Sequence, residues 1–60
     1  MMKLMTVFEL STRSDNELQV IAKDAFNELA RSEAHSADRH NALATIENVN
    51  RVMRSRMPGP

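Results

Sequence analysis

The amino-acid sequence predicts an all-α fold: an antiparallel two-helix hairpin with helices at about 14–31 and 36–56. In both segments apolar residues recur at spacings of three and four, which is the period of an amphipathic helix. Between the segments, from residue 30 to residue 41, the large apolar side chains disappear. We expect two hairpins to pack face to face as a homodimeric four-helix bundle, with residues 1–60 forming a single small domain.

The first long helix is predicted to begin at Ser14. Ser14 and Glu17 have the spacing of a capping box, in which each side chain accepts a hydrogen bond from the backbone amide of the other residue. Asp15 and Glu17 also place negative charge at the positive end of the helix dipole. Val20 lies outside the apolar stripe of this helix, which consists of Leu18, Ile21, Ala22, Ala25, Phe26 and Leu29.

The second helix is predicted to follow Ser36, which is suited to cap its N-terminus, with Asp38 in the first turn. The arginines near its end suit the negative end of the helix dipole. Pro58 then stops the helix and leaves residues 57–60 as a tail. The apolar stripe of this helix consists of Ala42, Leu43, Ile46, Val49, Val52 and Met53.

Two features favour a hairpin over one long helix. A heptad repeat drawn through both segments places Ser32, Ser36 and Arg39 at consecutive core positions, where a continuous coiled coil needs apolar residues. In addition, residues 9–38 are mainly acidic, whereas the chain from Arg39 onward is mainly basic. A reversal at residues 32–37 brings the basic end beside the acidic start of the first helix.

Two alternatives remain open for residues 4–10 in the N-terminal segment, 1–13. Thr6, Val7 and Phe8 have strand propensity, and a strand here would pair with the same strand of another copy. The second alternative is a short helix that begins at Thr6, with Glu9 completing a capping box.

With a strand at residues 7–11, the order strand, helix, helix resembles that of the ribbon-helix-helix repressors. That resemblance implies a small DNA-binding transcriptional regulator, dimeric through a two-stranded ribbon in the major groove. The chain departs from the family pattern in carrying Glu9 in the ribbon and in lacking a glycine at 33–36. In this alternative, the basic side chains that would contact phosphates are Arg51, Arg54 and Arg56.

Composition argues against catalytic and metal chemistry. The sequence has no cysteine, and its single glycine lies in the tail, so it has neither thiolate ligands nor a glycine-rich phosphate loop. His35 and His40 are five residues apart, about 140° around a helix, which does not suit a shared metal ion. Asp24 and Glu28 lie on a polar helix face. We therefore expect no enzyme activity, no catalytic or metal-binding residue and no cofactor.

The sequence instead favours association with another protein. A chain this short buries only about 60% of the surface that it exposes when unfolded. In a lone hairpin, Val20, Phe26 and Val52 are expected to form an exposed apolar patch, which is typical of an association surface. We expect a non-enzymatic interaction, adaptor or regulatory protein that acts as a homodimer or docks on a larger protein. The predicted core and interface residues are Leu18, Ile21, Ala25, Phe26, Leu29, Leu43, Ile46, Val49 and Met53.

The expected location is the cytoplasm, with no membrane association. The start of the chain has one lysine followed by a short apolar run that Glu9 interrupts, which is too short for a secretory signal. No stretch approaches the roughly 20 apolar residues of a membrane-spanning helix.

Overall fold

The computed structural model describes residues 3–56, which form three α-helices: α1 (Val7–Ser11), α2 (Asp15–Arg31) and α3 (Ala37–Arg56). Helices α2 and α3 pack along each other as an antiparallel hairpin, and α1 packs on α3. The predicted all-α class is confirmed, and none of the described residues is in a strand. The predicted tail, 57–60, lies outside the described residues.

Helix α1 decides between the two alternatives for the N-terminal segment. The backbone amide of Glu9 donates to Thr6 Oγ1 at 3.1 Å, and the amide of Thr6 donates to Glu9 Oε1 at 3.1 Å. This capping box satisfies two backbone donors without a neighbouring strand. The helix alternative is confirmed, and the strand alternative is wrong for Val7–Ser11. The ribbon-helix-helix resemblance therefore lacks its ribbon.

Both long helices begin where their capping residues predict. The amide of Glu17 donates to Ser14 Oγ at 3.2 Å, and the Glu17 carboxylate accepts from the Ser14 amide at 3.4 Å. At the start of α3, the amide of Arg39 donates to Ser36 Oγ at 3.1 Å. Each serine thus satisfies an amide that has no partner within its own helix.

The chain reverses between α2 and α3 without a glycine. Ser32 ends α2 by donating from its amide and its hydroxyl to the Glu28 carbonyl, at 2.9 and 2.6 Å. His35 then adopts φ 67°, in the left-handed region that glycine usually fills. The Ser36 amide closes the turn on the Glu33 carbonyl at 3.2 Å. The predicted reversal at 32–37 is confirmed.

The core is small and lies where the three helices meet. Val52 is only 3% exposed, so the prediction that it joins an exposed patch is wrong. Leu10 of α1, fully buried, belongs to the same cluster as Val52, and Met5 and Val7 pack against it. The N-terminal segment thus covers a flank of α3 that a lone hairpin would leave exposed. The buried residues are Leu10, Leu18, Ala25, Ala42, Thr45, Val49 and Val52.

Two hydrogen bonds hold Met5, near the start of the N-terminal segment, on α3. The Met5 amide donates to Thr45 Oγ1 at 3.2 Å, and Asn48 Nδ2 donates to the Met5 carbonyl at 2.8 Å. Thr45 is fully buried and Met5 is half-buried, so this contact is partly shielded from water. Both backbone groups of Met5 are therefore satisfied by one face of α3.

Candidate interaction face

The hairpin has two flanks, and α1 covers only one of them. On α3 the covered flank carries Asn48, which contacts Met5, and the buried Val52. Each residue turns a helix by about 100°, so Ile46 is rotated by about 200° from Asn48. Ile46 therefore lies on the flank of α3 that faces away from α1, and Leu43 lies beside it.

Helix α2, like α3, has one covered side and one uncovered side. Its covered side carries Ile21, which lines a surface groove together with Met5 and packs against the core. Phe26 follows Ile21 by five residues and is turned from it by about 140°. Because Leu18 and Ala25 fill the seam between the helices, Phe26 lies on the same side of the hairpin as Leu43 and Ile46.

We call this uncovered side the open face. Phe26 is 57% exposed and Leu43 is 43% exposed, and the other members are half-buried beside the seam. Large apolar side chains grouped on the surface of a small protein are typical of an association surface. The open face consists of Ala22, Phe26, Leu29, Leu43, Ile46 and Met53.

The predicted core and interface residues thus divide between two environments. Leu18, Ala25 and Val49 are buried in the seam, and Ile21 lies half-buried on the side of α1. Phe26 is not part of the core of this chain. The predictions omitted Thr45 from the core, because a threonine within an apolar stripe gives no sign that its hydroxyl will find a partner.

The three arginines of the predicted nucleic-acid surface do not form one group. Arg51 and Arg54 are exposed on α3. Arg56 is engaged within the chain: Nη1 lies 2.7 Å from Asp15 Oδ1, and Nη2 donates to the carbonyls of Ser11 and Arg13 at 3.0 and 2.7 Å. Arg56 therefore holds the end of α3 against the junction between α1 and α2.

Two further large apolar side chains, Leu4 and Phe8, are exposed on the N-terminal segment, and we call them together the second patch. Phe8 is 80% exposed and Leu4 is 40% exposed. Val20, 59% exposed as predicted for a residue off the stripe, lines a shallow groove of about 410 Å³ with Met5 and Arg13. Sequence reasoning did not single out Phe8, since its environment depends on which fold residues 4–10 adopt.

Residues 3–56 contain no group of three or more histidine or acidic side chains able to hold a metal ion. Glu28, which shares a polar face of α2 with Asp24, pairs with Arg31 at 2.6 Å. His35 lies in the turn and His40 in the first turns of α3, both exposed.

Among residues 3–56, two carboxylates have a shifted pKa, and both cap helices. The backbone amide of Thr6, with its hydroxyl, lowers the pKa of Glu9 below the ordinary value. The amide and hydroxyl of Ser14 lower the pKa of Glu17 in the same way. Hydrogen bonds to the charged form account for both shifts. These glutamates therefore stabilise helix ends.

None of the three helices in residues 3–56 combines the length and the apolar character needed to cross a bilayer. Comparison of the chain with protein-family models, curated proteins and solved structures finds no significant match.

Proposed function

We propose that this chain is a small non-enzymatic interaction protein that acts as a homodimer, with two open faces packed together as a four-helix bundle. The observation that supports it most directly is the position of Phe26, 57% exposed beside Leu43 on the flank that α1 leaves free. Burial of apolar surface stabilises by about 25 cal/mol per Å². A face of this kind therefore favours association.

A second copy is the simplest partner for this face. Two-fold pairing brings identical patches together and closes the assembly at two chains. The opposite flank is already occupied by the N-terminal segment, through the contacts of Met5 with Thr45 and Asn48. Each chain therefore offers one large apolar flank for pairing.

The adaptor role rests on the second patch. Phe8 and Leu4 lie on the N-terminal segment, on the side of the hairpin away from the open face. A homodimer would carry this patch twice, on its two outer surfaces. Such a dimer is suited to dock on a larger protein or to bring two copies of a partner together.

The DNA-binding alternative has weaker support than the homodimer. The segment that would form the ribbon is helix α1, and Arg56 is held by Asp15 and two backbone carbonyls. Arg51 and Arg54 remain as exposed cations, and arginines in the last turns also suit the helix dipole.

The substitution Phe26→Ala tests the homodimer. Because Phe26 is mostly exposed in the single chain, the variant should keep its helix content. Its dimer dissociation constant should rise at least roughly tenfold, since apolar contact is lost on both chains. Sedimentation equilibrium and circular dichroism across a dilution series measure both quantities.

The matched control is Phe8→Ala, which removes the same side chain from the other patch and should leave dimerisation unchanged. A wild-type chain that stays helical and monomeric at millimolar concentration would contradict the homodimer. Equal loss of dimerisation in both variants would contradict the assignment of the interface to the open face.

A further inference from the structure

Two oppositely charged side chains border the open face. Lys23 follows Ala22 on α2 and lies about 60° around the helix from Phe26. Glu47 lies about 40° around α3 from Leu43. Both are exposed, and neither has an ion-pair partner within residues 3–56. The edge on α2 thus carries a positive charge at Lys23, and the edge on α3 carries a negative charge at Glu47, with the exposed Arg54 about two turns farther along α3.

Lys23 and Glu47 also lie at nearly the same height along the hairpin. At one end Arg56 of α3 contacts Asp15 of α2, and at the other end Arg39 contacts the carbonyl of Leu29. Eight residues separate Asp15 from Lys23, and nine separate Arg56 from Glu47. Counted from the other end, six residues separate Lys23 from Leu29, and eight separate Glu47 from Arg39. The two levels therefore agree within two residues, or about 3 Å of helix rise.

We propose that the two-fold axis of the dimer runs parallel to the helices, so that Lys23 of each chain pairs with Glu47 of the second copy. This inference rests on the proposed homodimer and specifies its geometry. Rotation about such an axis preserves height, so α3 of the second copy lies against α2 at the same level. The bundle then contains two identical Lys23–Glu47 pairs, one at each edge of the interface.

The alternative two-fold axis runs across the helices and places like charges together. It stacks α2 on α2 and α3 on α3 in opposite directions, with the middle of each helix on the axis. Lys23 is the middle residue of Asp15–Arg31, and Glu47 lies at the middle of Ala37–Arg56. Lys23 would then approach Lys23 of the second copy, and Glu47 would approach Glu47. Like charges at an interface disfavour that arrangement.

Charge reversal tests this geometry. In the parallel-axis dimer, Lys23→Glu or Glu47→Lys alone turns both attractive pairs into repulsive ones. An exposed pair contributes about 0.2–1 kcal/mol, so each single variant should raise the dimer dissociation constant by roughly 2- to 30-fold. The double variant K23E/E47K restores opposite charges and should return the constant to the wild-type value. Sedimentation equilibrium at low ionic strength measures the four proteins.

The control is Asp24→Lys, an exposed charge reversal adjacent to Lys23 in sequence but directed away from the open face. It changes net charge as Glu47→Lys does and should leave dimerisation unaltered. Helix content by circular dichroism verifies that every variant is folded. Two single variants that dimerise as well as the wild type would overturn the parallel axis while leaving the homodimer intact. A monomeric wild type would overturn both proposals and would assign the open face to a different protein.

Zero-length cross-linking gives an independent readout. Carbodiimide treatment of a mixture of unlabelled and ¹⁵N-labelled chains should join Lys23 to Glu47 in peptides that combine the two isotopes. Mixed-isotope links that join α2 to α2 or α3 to α3 instead would overturn the arrangement.

Discussion

Arg56 binds Asp15 across the hairpin, with its Nη1 atom 2.7 Å from the Asp15 carboxylate oxygen. Its Nη2 atom donates to the carbonyls of Ser11 and Arg13, at 3.0 and 2.7 Å. These carbonyls lie at the end of α1 and in the link to α2. One planar guanidinium therefore joins all three helices at one end of the molecule.

Arg56→Ala should destabilise the fold more than Asp15→Asn does. The Asp15 side chain is 69% exposed, and an exposed ion pair contributes at most about 1 kcal/mol. Loss of Arg56 also removes the donor to two carbonyls, so we expect a cost of about 1–2 kcal/mol. Urea unfolding followed by circular dichroism compares the two variants. Equal costs would mean that the ion pair alone accounts for the contribution of Arg56.

The sequence predicted this contact in outline and could not predict the flank that α1 covers. The acidic start and the basic end favour a reversal, and local spacing of Ser14 and Glu17 fixes a helix start. By contrast, the covering of Val52 depends on the N-terminal segment, in which Met5 bonds to Thr45, 40 residues away in sequence. Helical periodicity identifies the apolar side of a helix, but it cannot say which part of that side another segment occupies.

The backbone of the turn and the exposure of Phe26 are two further features that the sequence pattern did not predict. Left-handed backbone is usually recognised from glycine, and His35 adopts it without that signal. Phe26 has the spacing of a core residue, yet it is turned by about 100° from the buried Ala25 and remains 57% exposed at the edge of the stripe. The width of an apolar stripe therefore overestimates the core when two helices pack closely.

Thr45→Val should release the N-terminal segment from α3. Valine keeps the approximate shape of threonine but leaves the Met5 amide without its acceptor in a partly buried site. Loss of one such hydrogen bond costs about 1–2 kcal/mol. Hydrogen exchange of the Met5 amide, measured by NMR, should become faster. Thr45→Ser keeps the hydroxyl and should retain slow exchange even where loss of the methyl lowers stability. Fast exchange in both variants would show that packing, not this hydrogen bond, holds the segment.

His35→Gly should stabilise the chain. A non-glycine residue in the left-handed region costs about 1–2 kcal/mol, and the greater freedom of unfolded glycine offsets about half of the gain. We expect a net increase of about 0.5–1 kcal/mol in the free energy of unfolding. Ala34→Gly is the matched control, because Ala34 does not have a positive φ and offers no strain to relieve. A lower stability in both variants would contradict a strained turn.

The two capping boxes should make stability depend on pH in the acid range. Their hydrogen bonds lower the pKa of Glu9 and of Glu17 in the folded chain below the ordinary glutamate value of about 4.3. Because the folded pKa is the lower one, this stabilisation is fully present above about pH 4.3 and is lost as the pH falls through the folded values.

The double variant E9Q/E17Q keeps the hydrogen-bonding shape without a titrating group. Its urea midpoint should lie below that of the wild type at pH 7, and the difference should disappear toward pH 2. The double variant D24N/E33Q, at two exposed acids outside either box, removes the same number of charges and controls for the change in net charge. A difference between E9Q/E17Q and the wild type that stays constant from pH 7 to pH 2 would show that the carboxylate charge does not contribute to capping.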